Sequence, residues 1–166
     1  MNQQNNADYW VRHLALMPHP EGGFFREVYR ADHQVVHPDI EGGNRNAATA
    51  IYYLLRSGDF SAFHRLKSDE VWHFYHGSAI RIYTIDEKGS LLEKNLGPEI
   101  HRNEEPLVVI PRNTWFAAEV KNTGSFALAG CTVSPGFDFA DFEMADKQFL
   151  INQFPGHKEI ISRLSR

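Results

Sequence analysis

GDFSAFHRLKSDEVWHFYHG, residues Gly58–Gly77, carries two apolar runs on either side of the polar turn Lys67-Ser68-Asp69. Side chains alternate across a strand, so Phe60, Ala62, His64 and Leu66 are expected to share one face. Ser61 and Arg65 then fall on the other face, with Phe63 between them. In the second run Glu70, Trp72 and Phe74 share a face, opposite Val71, His73 and Tyr75. An imidazole and a carboxyl are thus set among apolar neighbours on two consecutive strands.

Moving outward, the same short-strand rhythm recurs at Thr49–Arg56, Ile80–Ile85, Leu91–Leu96, Leu107–Ile110, Trp115–Val120 and Phe126–Val133. Turn formers separate most of these runs, including Ser57-Gly58-Asp59, Glu87-Lys88-Gly89, Pro111-Arg112-Asn113 and Asn122-Thr123-Gly124. Regular short strands at this spacing predict a sandwich or jelly roll, not a βαβ sheet. Before them, Trp10, Val11, Leu14 and Ala15 recur at helical spacing, which predicts a helix over about 7–16 ended by Pro18 and Pro20. Phe24–Arg30 reads as a strand, and Asp32–Asn46, with Pro38, Gly42 and Gly43, as a polar loop. Beyond Ser134-Pro135-Gly136 helices are expected over about 139–164, with Lys147–Phe154 and Lys158–Leu164 as amphipathic pieces. There is no internal repeat and no linker, so one domain spanning 1–166, with its barrel over about 24–134, is the simplest organisation.

Composition narrows the function classes. The 166 residues are 42% hydrophobic and 23% charged, an ordinary globular balance, and the 13% aromatic share includes 12 Phe. With a formal net charge of -4 and no run of Lys or Arg, the basic footprint that nucleic acid demands is missing. No apolar stretch is long enough to span a bilayer. Met1–Asn6 is polar and unlike a signal peptide, and the lone Cys131 cannot form an internal disulfide. A cytoplasmic protein is expected.

The spacing Gly58, five residues, His64, one residue, Leu66, three residues, Glu70, six residues, Gly77 resembles the first consensus motif of the cupin superfamily, G-x5-H-x-H-x3/4-E-x6-G. Leu66 replaces its second histidine. The second motif, G-x5-P-x-G-x2-H-x3-N, aligns on Pro111, with Glu105, Asn113, Phe116 and Val120 at its other fixed places. Longer strings are similar to one subfamily, the cupin-5-like proteins long labelled a domain of unknown function. They are HPEGGFFREVYR (His19–Arg30), TAIYYLL (Thr49–Leu55), FSAFHRLKSDEVWHFYHG (Phe60–Gly77), PRNTWFAAEV (Pro111–Val120) and AGCTVSPGFDFADFEMAD (Ala129–Asp146). The resemblance implies an all-β, double-stranded β-helix (jelly-roll) barrel, a homodimer, and a barrel cavity holding a small-molecule ligand. It supplies no reaction. If the barrel closes as in cupins, His64 and Glu70 look into one apolar chamber with Leu66, Trp72 and Phe116.

Metal-dependent cupins use three imidazoles and a carboxylate. With Leu66 and Phe116 at two of those places, His64 and Glu70 fall short of a facial triad or a catalytic zinc site, and a metal-free, cofactor-free site is the preferred reading. A metal enzyme with ligands rearranged from His73, His76 or His101 stays open. Burial is expected to raise the pKa of Glu70 and lower that of His64, a pair suited to proton transfer next to a carbonyl, as in an isomerase or epimerase acting on a sugar-like or keto-acid substrate. The competing readings are a non-catalytic binding cupin, and a His64–Glu70 hydrogen bond that is merely structural. Among the remaining polar residues, Arg26 is a candidate anchor for an anionic group, although a surface turn at Glu21-Gly22-Gly23 and an exposed strand charge are preferred. Lys67 and Asp69 are within reach of a cavity mouth if they are not simply solvated. Asp138, Asp141, Glu143 and Asp146 are read as helix-capping acids, and Cys131 as a buried, inert thiol.

Overall fold

A computed structural model describes residues 6–40 and 43–166. Residues 1–5 of the polar start, and Gly42 of the expected loop, lie outside the described residues. The strands are β1 (Met17–Pro18), β2 (Phe24–Arg30), β3 (Gln34–Val36), β4 (Asn44–Asn46), β5 (Thr49–Arg56), β6 (Phe60–Leu66), β7 (Asp69–Gly77), β8 (Ile80–Ile85), β9 (Leu91–Leu96), β10 (Leu107–Ile110), β11 (Trp115–Val120), β12 (Phe126–Ser134) and β13 (Phe142–Met144). Three α-helices accompany them: α1 (Ala7–His13), α2 (Lys147–Gln153) and α3 (Lys158–Arg163).

The long strands form two antiparallel sheets. One has the order β1-β2-β5-β12-β7-β10 and the other β13-β6-β11-β8-β9, while β3 and β4 make a separate hairpin. Neighbours in these sheets are far apart in the chain, as in the β5–β12 and β12–β7 pairs, so this is a jelly roll, not a meander. The inner faces of the two sheets enclose the main core, in which Tyr53, Trp72, Ile80, Ile82, Ile110 and Phe116 are essentially inaccessible to solvent. Each outer face has its own apolar cover. Helices α2 and α3 seal Phe63, Trp115 and Ala117 under Leu150, Ile161 and Leu164, while α1 and Leu16 cover Leu54, Phe126 and Leu128.

Three expectations need correction. Helix α1 stops at His13, not near 16, because Ala15 takes a left-handed backbone with φ of 50°. The expected loop at 32–46 holds the β3–β4 hairpin, whose exposed Val35 and Val36 leave no buried face for alternation to reveal. The stretch 139–164 is not wholly helical, because Phe142–Met144 adds to the edge of β6, with Phe142 opposite Leu66 and Met144 opposite His64. An open edge with unpaired backbone groups outweighs local propensity there. Of the four acids in this region, Asp138 and Asp146 do cap, accepting from the N–H groups of Ala140 and Phe149. Asp141 and Glu143 instead bind Arg45 and Arg65.

Candidate functional site

Between the two sheets the apolar filling stops short of one end and leaves a cavity of about 320 Å³. Its wall comes from the segment before β2, from β2, β5, β6, β7 and β12, and from the chain between β12 and β13. His64, Leu66 and Glu70 all line it.

A β-bulge aims the β6 side chains. Phe116 of β11 lies opposite His64 and Ala118 lies opposite Ser61, so three steps on β6 match two on β11. Strict alternation therefore fails at this point. Ser61 turns inward with His64, whereas Phe60 and Phe63 both pack under the C-terminal helices. An extra residue of this kind re-aims the chain beside a site.

The His64 ring is nearly inaccessible, and both its nitrogens are engaged. Nδ1 lies 2.7 Å from the Ala62 carbonyl oxygen and Nε2 lies 3.0 Å from Glu21 Oε2. A carbonyl only accepts, so Nδ1 carries hydrogen. The contact at Nε2 then needs a second proton, held as imidazolium facing carboxylate or as imidazole facing carboxylic acid. Glu21 Oε1 accepts from the Ser61 hydroxyl at 3.0 Å. Glu21 is 6% exposed, so the segment read as a surface turn is in fact part of the cavity wall.

The glycines after Glu21 explain how that residue enters. Gly22 has φ of 117°, and a Cβ there would meet the Phe60 carbonyl oxygen at 2.1 Å. Gly23 has φ of 71°, and a Cβ there would meet the Leu54 carbonyl oxygen at 2.8 Å and the Tyr53 hydroxyl at 2.9 Å. Only glycine fits such a backbone pressed between two strands. The Tyr53 hydroxyl donates to the Gly22 carbonyl at 2.8 Å, Asp59 accepts from the Gly23 N–H at 2.9 Å, and Arg166 donates to Asp59 at 3.0 Å. His19, at the head of the segment, accepts from the Glu21 N–H through Nδ1. Burial lowers its pKa, against the charge of Glu21.

Glu70 has a different environment. Burial pushes its pKa up to about 8, with the charge of Glu21 adding to the shift and the nearby Trp72 indole and Cys131 thiol opposing it. Neither of those donors makes a well-formed bond to the free oxygen, for Glu70 Oε2 and Trp72 Nε1 are both buried without a protein partner. Cys131 is buried on the same wall, and desolvation holds its thiol well above the ordinary pKa.

The other predicted site residues are placed as follows. Phe116 is tilted against His64 with ring centroids 4.1 Å apart, and Trp72 meets Phe116 edge-on. Both stand behind the cavity wall as packing, where a chamber wall was expected. Arg26 is on the outer face of β2, over the Tyr52 ring, while its neighbours Phe25 and Glu27 face inward. Lys67 is exposed and borders a separate polar depression with Arg65 and Glu143. Sequence reasoning did not place Glu21, His19, Glu27 or Arg30 at the cavity. The consecutive glycines after Glu21 were the signal available for the first of these.

The residues do not fit a cupin metal. Both His64 nitrogens are committed, and among the described residues no three His, Cys, Asp or Glu side chains are grouped to hold an ion. His73 bonds Thr132, His76 packs against Trp10, and His101 lies in an exposed turn beside Glu99. None of these three lines the cavity.

The family profile described as Cupin superfamily (DUF985) matches residues 8–145. The chain belongs to this cupin family. An uncharacterized protein of Saccharomyces cerevisiae is 27% identical over 138 residues, covering 76% of this chain and 68% of the yeast protein. Among solved structures, a hypothetical protein from Leishmania major superposes with a TM-score of 0.90 at 32% identity, covering 97% of this chain and 99% of that one. A Shewanella oneidensis protein gives 0.88 at 38% identity, with coverage of 97% and 98%. Oxalate decarboxylase from Bacillus subtilis gives 0.55 at 19% identity and covers 89% of this cupin but 36% of the larger enzyme, a likeness of fold alone. Among the described residues no helix is long and apolar enough to cross a membrane.

Proposed function

We propose that this cupin binds a small molecule in the cavity and moves a proton on it, as a metal-independent isomerase or epimerase does. The observation that carries the reading is Glu70, buried on the wall of the same cavity as the Glu21–His64 pair, with one oxygen unpartnered and its pKa up at about 8. A buried carboxyl that keeps its proton at neutral pH is suited to the role of general acid in such chemistry.

Glu70, protonated at neutral pH, donates its proton to a substrate carbonyl oxygen. Glu21, in its carboxylate form beside imidazolium, takes the proton from the adjacent carbon. An enediol forms; Glu21 then delivers its proton to the former carbonyl carbon while Glu70 takes the proton from the hydroxyl on the deprotonated carbon, which becomes the new carbonyl, and both groups return to their starting states. His64 balances charge on Glu21, and Ser61 and the glycine turn hold Glu21 in place.

The test is deuterium exchange. Hydroxy-carbonyl compounds that raise the melting temperature are incubated with the protein in D2O and followed by proton NMR. Loss of signal at the carbon next to the carbonyl is expected with the native chain and not with Glu70→Gln, which should stay folded and melt higher than the native chain at neutral pH, because it lacks the cost of ionising that carboxyl. A compound that binds yet never exchanges would make this a binding cupin without turnover.

A further inference from the structure

The charge bookkeeping of the cavity wall restricts what can enter. Arg30 supplies its one guanidinium or ammonium among the described residues. Arg30 Nε and Nη2 donate to the two oxygens of Glu27 at 2.9 and 2.8 Å, Nη1 donates to Asn46 Oδ1 at 2.8 Å, and Nη2 also reaches the Phe137 carbonyl at 3.2 Å. His64 already faces Glu21, and burial disfavours a charged His19. An incoming carboxylate or phosphate would lose its hydration and find no uncommitted positive group to replace it.

The carboxyls are equally committed against a cation. Glu21 shares a proton with His64, Glu27 is taken by Arg30, and Asp138 caps the turn at Ala140. What the wall does offer is the carboxyl of Glu70 and a rim of flat apolar rings. Phe137, Phe139 and Phe142 contact one another edge-on with centroids 4.9–6.2 Å apart, and the His19 ring lies nearly parallel to Phe139 at 6.3 Å. The volume of about 320 Å³ is at the small end for ligand pockets.

We infer that the cavity selects an uncharged molecule of about single-ring size, with hydroxyl or carbonyl groups toward Glu70 and a flat apolar face toward the Phe137–Phe142 rim, and excludes carboxylates and phosphates. The inference rests on the binding part of the function proposed above and names the substrate class of that site.

Saturation-transfer NMR and thermal shift with matched probes test it. The panel is glucose, xylose, dihydroxyacetone and gluconolactone against glucuronate, gluconate, glucose 6-phosphate and glucosamine. Uncharged members should bind in the millimolar range or tighter, and charged counterparts about ten-fold more weakly. Glu27→Ala, which frees Arg30, should shift the preference toward glucuronate. The inference is overturned if glucuronate, glucose 6-phosphate or glucosamine binds the native protein as well as glucose does, or if no uncharged member binds. Uncharged binding without deuterium exchange would end the proton-transfer reading and leave this one standing. Exchange confined to anionic compounds would do the reverse.

Discussion

The two ends of the space between the sheets are filled in opposite ways. At one end Ile80, Ile82, Leu96 and Val108 close the interior completely. At the other, His64, Glu21 and Glu70 surround an open volume, and two buried polar atoms, Glu70 Oε2 and Trp72 Nε1, have no protein partner. Residues of β7 serve both ends: Glu70 lines the hollow and Trp72, two positions on, packs the core. An unpaired buried polar group costs free energy that an apolar residue of similar volume would not. The buried Glu70 carboxyl on the cavity wall is thus one place where the fold gives up stability, as expected of a functional residue.

The largest effect separating the two ends should appear with pH. The folded Glu70 carboxyl, at about 8 against an ordinary 4.5, holds its proton more tightly than the unfolded one. Its contribution is complete below about pH 4.5 and is lost as pH rises toward 8, a change on the order of 5 kcal/mol at 1.36 kcal/mol per unit. Unfolding curves from pH 5 to 9 should show this decline in the native chain and a much flatter profile in Glu70→Gln. Parallel profiles would remove Glu70 as the source.

In the packed end, Phe116→Ala should cost about 3–5 kcal/mol in denaturant unfolding, because Trp72 and His64 lean on that ring. A cost below about 1 kcal/mol would mean that the two ends are not packed differently. At the border of the hollow, Gly22→Ala should cost about 1–3 kcal/mol from backbone strain alone. It should also detach Glu21 from His64, visible as a shift of the His64 ring resonances. The smallest expected change is Tyr53→Phe, about 1 kcal/mol for the lost bond to the Gly22 carbonyl, with the cavity otherwise intact.

The same contrast explains what could be read from the sequence. The strands from Thr49 to Val133 were legible within a few residues because each has at least one buried face. The motif spacing also identified His64 and Glu70, which the structure brings to one cavity. The β6 bulge was hidden, since an extra residue leaves no mark on an apolar run such as Phe60–Phe63, and so the inward turn of Ser61 was missed. Glu21 was missed because its burial depends on Gly22 and Gly23 pressing against β5 and β6, partners more than 30 positions away. Arg26 and Glu27 could not be told apart until the pairing of β2 with β5 set which of them faces inward. Parity along an isolated strand leaves that choice open.

A carbon-detected NMR titration of side-chain carboxyls, with glutamate labelled at the δ-carbon, reports most directly on the proton held by Glu70. One resonance should titrate with a midpoint near 8 and vanish in Glu70→Gln. A Glu70 midpoint in the ordinary range near 4.5 would leave the cavity with no neutral acid at physiological pH and would contradict the account.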